Sequence, residues 1–349
     1  MRVVVTGASG NVGTSVLQAL AATREVQEIV GVARRRPQAS FARTSFVQAD
    51  IASDELVPLL RGADAVIHLA WLIQPGRDES VTHAVNVRGS ERVFRATVEA
   101  GVPALLYASS VGAYSQGPKD RYVDEAWPTE GTPSSFYSRH KATAERQLDR
   151  LQREQPQLRV VRMRPGLIFK REAATEIRRL FLGPLLPGSL VRSGLVPLIP
   201  DLPRLRFQAV HSLDVGEAFR LAAISEARGA FNLAAEPAIG VRELAEIFHA
   251  RPVKVPLASV RALAAGSYAM RLQPTEPGWL DMALAVPLMD CTRARTELGW
   301  EPRHSATQAL QELLGGLRAG GELNTPPLAR GTSGPARLRE LLTGVGGRA

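Results

Sequence analysis

Short apolar runs recur along the first half of the chain, at Val3–Val5, Ile29–Ala33, Ser45–Gln48, Ala65–Leu69, Ala104–Ala108 and Arg159–Met163. The segments between them carry helical periodicity at Val12–Ala22, Leu56–Leu60, Val81–Ala100 and Ser138–Arg153. Strands that alternate with helices return in the same direction, so the pattern predicts an α/β fold with a doubly wound parallel sheet over 1–164. From about Pro165 the rhythm breaks into stretches punctuated by Pro and Gly, such as the run from Phe181 and the run from Leu195. A smaller lobe is expected there, over 165–315, with a strand at Ala230–Leu233 and a helix at Val241–His249 returning to the main sheet and its flank. After about Gly315 the glycine pairs and Asn324-Thr-Pro-Pro read as linker, so 316–349 is expected to be a flexible tail with one short helix at Pro335–Leu342.

Composition narrows the possibilities. A chain of 349 residues can bury a large core. Its one cysteine, Cys291, rules out an internal disulfide framework, and the six histidines form no HxxxH pair, so no metal site is expected. No apolar stretch is long enough to span a membrane, and the apolar residues after Arg2 already belong to the first strand. No membrane association and a cytoplasmic location are therefore expected. The formal charge of +9 is spread without an aromatic-interleaved patch, so no nucleic-acid partner is expected. Only four of the 43 basic residues are lysine, at positions 119, 141, 170 and 254.

The first strand runs directly into Gly7, Gly10 and Gly13, and then into a helix pattern. Glycines permit a tight turn with backbone amides facing outward, and the helix N-terminus behind them favours an anion; together they form a cradle for a nucleotide pyrophosphate. Further along, Tyr137 and Lys141 lie four residues apart on one helix face. An ammonium beside a phenol favours phenolate, so the pair could exchange a proton with a substrate oxygen near neutral pH. Ser109 and Ser110 follow the fifth strand at the carboxyl edge of the sheet, where ligands bind in open α/β folds. An isolated Ser-Ser pair also suits a turn or a helix cap.

These residues resemble the extended short-chain dehydrogenases/reductases, which include NAD(P)-dependent epimerases, dehydratases and carbonyl reductases. The matching motifs are Thr6-Gly-Ala-Ser-Gly-Asn-Val-Gly13, Asp50-Ile51, His68-Leu-Ala70, Asn86-Val-Arg-Gly89, Ser109-Ser110, Tyr137 with Lys141, Arg164-Pro-Gly166 and Leu298-Gly-Trp-Glu-Pro302. They run in the family's order to about residue 315.

The resemblance implies a Rossmann-type domain with a substrate-binding lobe, and a homodimer packed through the Val81–Ala100 and Ser138–Arg153 helices. It implies Tyr137 as acid/base, Lys141 on the nicotinamide ribose, Ser110 holding the reacting oxygen and Asn86 supporting the site. Cofactor contacts are implied for Gly7, Ser9, Gly10, Asn11, Val12 and Gly13 at the pyrophosphate. Asp50, Ile51, Leu69 and Ala70 are implied on the adenosine side, and Ala108 and Pro165 near the nicotinamide. His68 is expected to be a satisfied strand-end histidine, and His140 to face outward.

Cofactor choice can be argued physically. NAD binding uses an acidic residue about 20 positions past the glycine turn. Here Ala33 stands at that position, and Arg34 and Arg35 offer forked donors suited to the 2′-phosphate of NADP. NADP(H) is therefore expected, with NAD(H) as the alternative. Nucleotide-sugar members carry an asparagine where this chain has Leu167, and the following lobe is apolar. A carbonyl/alcohol oxidoreductase acting on a small molecule is expected. Lys170, Arg171, Arg178 and Arg179 leave room for an anionic group on that molecule. A nucleotide-sugar epimerase/dehydratase and a non-catalytic NADP-sensing protein are the alternatives.

Overall fold

The computed structural model describes residues 1–74, 77–182 and 196–329. Seven parallel strands form the main sheet. Their order is Gly229–Leu233, Arg159–Pro165, Ala104–Ala108, Ala65–His68, Arg2–Thr6, Glu28–Ala33 and Thr44–Gln48. The order reverses beside Arg2–Thr6, whose neighbours are Ala65–His68 and Glu28–Ala33. That reversal opens a crevice at the carboxyl ends of the strands.

Both faces of this sheet are covered, which is why its strands read as nearly unbroken apolar runs. Val3, Val5, Ile29, Ile67, Leu106 and Val161 pack on one side. Val4, Val30, Val66, Leu105 and Val160 pack on the other. The expected return of Ala230–Leu233 is observed: Gly229–Leu233 pairs with Arg159–Pro165 at the sheet edge.

The helix expected at Ser138–Arg153 spans Phe136–Glu154 and starts earlier because the Ser135 side chain accepts the Ser138 N–H. The one expected at Val81–Ala100 is broken in character. Helical turns at Glu79–His83 and Ser90–Glu99 flank a π-helical turn at Ala84–Gly89 that contains Asn86. In the lobe, Ala235–Gly240, Arg206–His211 and Leu167–Phe169 form a three-stranded sheet.

The linker expected from Gly315 is corrected in part. Helix Ala306–Ala319 runs through Gly315 and Gly316. A Cβ on Gly316 would stand 2.4 Å from the Arg171 carbonyl oxygen, so the glycine serves close packing rather than chain freedom. The segment beyond it is also docked, with Thr325 and Leu328 buried and the Ala39 N–H donating to the Asn324 carbonyl. The helix expected at Pro335–Leu342 and most of the apolar run from Phe181 lie outside the described residues.

Candidate active site

The glycine turn is built for close approach. Gly7 has φ +71°, and a Cβ there would lie 2.6 Å from the Ala70 nitrogen. A Cβ on Gly13 would lie 2.3 Å from the Gly7 carbonyl oxygen, so the helix Asn11–Ala21 must sit directly on the turn. Gly10 differs: its nearest neighbour is 3.5 Å away, which leaves open space above it. No side chain caps this helix, so its first amides face that space unpaired.

A cleft runs from this turn. Its lining includes Gly7, Ser9, Gly10, Arg34, Arg35, Asp50, Ile51, Leu69 and Ala70, which the sequence placed together. It also includes Trp71, Glu176, Pro326 and Pro327, which sequence reasoning missed. The two prolines come from the docked C-terminal segment, inside the stretch Asn324-Thr-Pro-Pro that the sequence suggested was linker. Burial raises the Glu176 carboxyl to about 7, against the opposing pull of Arg179 and Lys170.

The residues fit a dinucleotide. The open space above Gly10, the uncapped helix start and the two arginines suit phosphates. Two buried polar atoms beside it, Asn11 Oδ1 and Trp71 Nε1, have no hydrogen-bond partner among the described residues.

Lys170 is not available to grip a substrate anion, contrary to expectation. Its ammonium is buried under the cradle and donates to the Asn11 carbonyl (2.8 Å) and to Thr14 Oγ1 (2.6 Å). Burial pulls it down to about 8.

Past the fifth strand, Ser110 begins a short turn by accepting the Gly112 N–H at 3.0 Å. Its hydroxyl also influences the Tyr137 phenol. Burial pushes that phenol above its usual value, and the Ser110 contact opposes the rise. The expected lowering by Lys141 is corrected. The Lys141 ammonium points to the Ala108 carbonyl (2.6 Å) and the Tyr107 hydroxyl (3.5 Å), and lies 5.9 Å from the Tyr137 ring centroid. Burial holds it well below the usual lysine value, with Glu145 pulling the other way. The spacing of four brings the two residues to one face, but each side chain is governed first by its loss of water.

Glu145 is the largest omission of the sequence reading. It lies fully buried, four residues beyond Lys141 on the same helix face, and accepts from Ser109 (2.6 Å), Arg164 (2.9 Å) and Arg162 (2.9 Å). The guanidinium pair holds its carboxyl at about 2 despite burial. Asn86 acts through the chain rather than on Tyr137: its amide pairs with both the N–H (2.7 Å) and the carbonyl (2.8 Å) of Leu72, fixing the loop that carries Trp71.

His68 is satisfied as expected, between Thr6 Oγ1 (2.6 Å) and Ser90 Oγ (2.9 Å), and burial lowers it to about 3. His140 is corrected: it is buried, packed against Phe136 and His83, and 3.3 Å from Glu79. Val12 sits in the first turn of the cradle helix and Pro165 ends its strand. Among the described residues no helix is long and apolar enough to cross a membrane.

A seven-stranded parallel sheet with this cradle at its reversal, and Ser110, Tyr137 and Lys141 beyond its carboxyl ends, defines an extended short-chain dehydrogenase/reductase. The chain belongs to the NAD dependent epimerase/dehydratase family, whose model matches residues 3–181. It is 28% identical over 314 residues to an uncharacterized protein of Mycobacterium tuberculosis, a match covering 89% of this chain and 29% of that relative. The chain thus spans under a third of that longer protein. Over 178 residues it is 30% identical to a 4-hydroxy-2-methyl-3-oxo-4-farnesyl-3,4-dihydroquinoline-1-oxide ketoreductase of Stigmatella aurantiaca, covering 48% of this chain and 51% of the relative. The solved UDP-glucose 4-epimerase of Thermus thermophilus, in complex with NAD, superposes with a TM-score of 0.65 at 21% identity, covering 91% of this chain and 99% of that one. That likeness is one of fold.

Proposed function

We propose that this protein is an NADP(H)-dependent oxidoreductase that interconverts a carbonyl compound and its alcohol, with Tyr137 handling the proton. The observation that carries this reading is the Tyr137 phenol, on the same helix face as Lys141 and 5.9 Å from the Trp71 ring that lines the cleft. Bound NADPH would supply the hydride to the carbonyl carbon. Tyr137 gives its proton to the carbonyl oxygen as the C=O bond becomes a C–O–H, and Ser110 holds that oxygen in place. Lys141 would hold the nicotinamide ribose and, when protonated there, favour the phenolate left on Tyr137. The amides after Gly10 would hold the pyrophosphate, and Arg34 and Arg35 the 2′-phosphate.

The ketoreductase relative supports carbonyl chemistry, while the fold neighbours bind nucleotide sugars. For those substrates a diphosphate must be met by donors, and Leu167, where relatives of that type carry asparagine, offers none. The deciding experiment follows NADPH oxidation against ketones and aldehydes, beside UDP- and dTDP-sugars assayed for epimerised or dehydrated product. Net NADPH consumption with a carbonyl compound supports this reading. Sugar conversion without net cofactor change would replace it with the epimerase/dehydratase reading.

A further inference from the structure

The surroundings of Tyr137 are aromatic. The Trp279 ring lies 4.9 Å from the Tyr137 ring, tilted by 37°. Trp71 meets Tyr137 edge-on at 5.9 Å. Phe181 stands edge-on to Trp279 at 4.9 Å. Trp71, which lines the cleft, and Tyr137, Phe181 and Trp279 are each only partly buried.

This wall is held rigidly. Trp279 belongs to the helix Pro277–Ala285, and a Cβ on Gly278 would lie 2.2 Å from the Ser134 carbonyl oxygen. The helix is thus seated backbone against backbone on the turn that starts the Tyr137 helix. Glu276 ties the two together by accepting the Phe136 N–H at 3.2 Å. One turn further along, Met282 closes the base: a Cβ on Gly112 would stand 2.9 Å from the Tyr137 ring and 3.0 Å from the Met282 sulfur. The backbone that carries Trp279 is thus packed directly on the segment that carries the phenol.

A proton donor flanked by the Trp279 ring and the edge-on Trp71 ring selects by shape and polarity. A sugar ring would bring hydroxyls that need partners, which ring faces and a thioether do not supply. A flat conjugated ring gains from offset stacking on the part of this aromatic wall left exposed beside the phenol.

We propose that the substrate carbonyl is carried on a planar aromatic ring system, and that Trp279 is the residue that selects it. The proposal rests on the carbonyl-reduction reading, whose chemistry it keeps: the ketone is reduced to the secondary alcohol and NADPH is oxidised to NADP⁺.

The test compares 1-tetralone with 1-decalone, matched in ring size but differing in aromaticity, on the full chain. Binding to the protein saturated with NADP⁺ is measured by calorimetry and turnover by NADPH oxidation. Tetralone should bind about tenfold more tightly than decalone, the scale expected for one offset ring stack. Trp279→Ala should abolish that preference while NADPH affinity stays within about twofold, and Trp279→Phe should keep most of it. Equal binding of the two ketones, no binding of either, or a preference that survives Trp279→Ala overturns the proposal. Reduction of decalone as fast as tetralone leaves carbonyl reduction standing and removes only the selection by Trp279. Tetralone binding that depends on Trp279 without any NADPH oxidation keeps that selection and removes the reduction reading.

Discussion

The Lys141 ammonium lies 3.5 Å from the centroid of the Trp71 ring, so the cation meant to serve Tyr137 is roofed by an indole. A cation–π contact favours the charged lysine by roughly 0.5–2 kcal/mol. Burial opposes it and dominates, since Lys141 ends well below its usual value. The roof belongs to a loop that Asn86 fixes at Leu72, so the state of Lys141 is coupled to the cofactor cleft that Trp71 lines.

Removing the roof should therefore act on Tyr137. In Trp71→Ala, water reaches Lys141, its pKa rises, and the retained charge favours phenolate. The acid limb of the pH profile for alcohol oxidation, which needs phenolate, should move to lower pH by on the order of one unit. Trp71→Phe should move it less. An unmoved limb in the alanine variant would show that Lys141 does not govern Tyr137.

The proposed function gives cofactor selection to the exposed arginines after the second strand. Arg34→Ala combined with Arg35→Ala should weaken NADPH by roughly 1.5–3 kcal/mol, the loss of charge-assisted bonds to a phosphate, and leave NADH nearly unchanged. Calorimetric titration with both cofactors reads this directly. A wild-type protein that already prefers NADH refutes the assignment.

Glu145 holds two buried guanidinium groups, Arg162 and Arg164, each at 2.9 Å. Glu145→Gln keeps an acceptor but removes the charge, leaving those cations under-compensated out of water. A loss of about 3–5 kcal/mol in urea unfolding is expected. A loss below about 1 kcal/mol would mean that solvent reaches the pair.

Much of the sheet was legible because strands buried on both faces cannot hide their apolar runs. Val3 to Val5 and Leu105 to Tyr107 pack inside whichever way they point. The lobe was not legible because its short strands, such as Leu167–Phe169, are defined by partners distant in the chain, here Ala209 to His211. Gly316 misled for a similar reason: a glycine that lets Arg171 approach reads as a linker until Arg171 is placed. At the site, spacing located Tyr137 and Lys141 on one face. It could not show that Trp71 would lie across the lysine. Glu145 continued that face at the next interval of four, and the signal was there to be read. Its guanidinium partners, on a separate strand, were not.

His68 should make stability depend on pH. Its folded pKa of about 3 lies below the unfolded value, so between roughly pH 6.5 and 3 the unfolded chain takes a proton that the native state refuses. Stability contributed by the neutral ring is full above that window and falls as the pH drops through it. At pH 5 this one group should cost about 2 kcal/mol. His68→Gln, which cannot titrate, should flatten the pH dependence of urea unfolding between 6.5 and 5 by about one proton. An unchanged slope would place the acid sensitivity elsewhere.

Tyr137→Phe separates chemistry from binding. The variant keeps the ring that packs against Trp279 and Gly112 and loses only the hydroxyl, so the fold and the aromatic wall should persist. On the proposed mechanism, what disappears is the proton that neutralises the developing alkoxide. General acid catalysis of this kind supplies on the order of 10²-fold or more, so turnover should fall at least that far while NADPH affinity stays near wild type. Ser110→Ala should lose less in turnover, because the phenol would still donate its proton to an oxygen held less firmly. The two together should lose less than the product of the single losses, since both act on one oxygen. Wild-type turnover in Tyr137→Phe would remove the phenol from the mechanism, and a collapse of NADPH binding in that variant would mark the residue as structural.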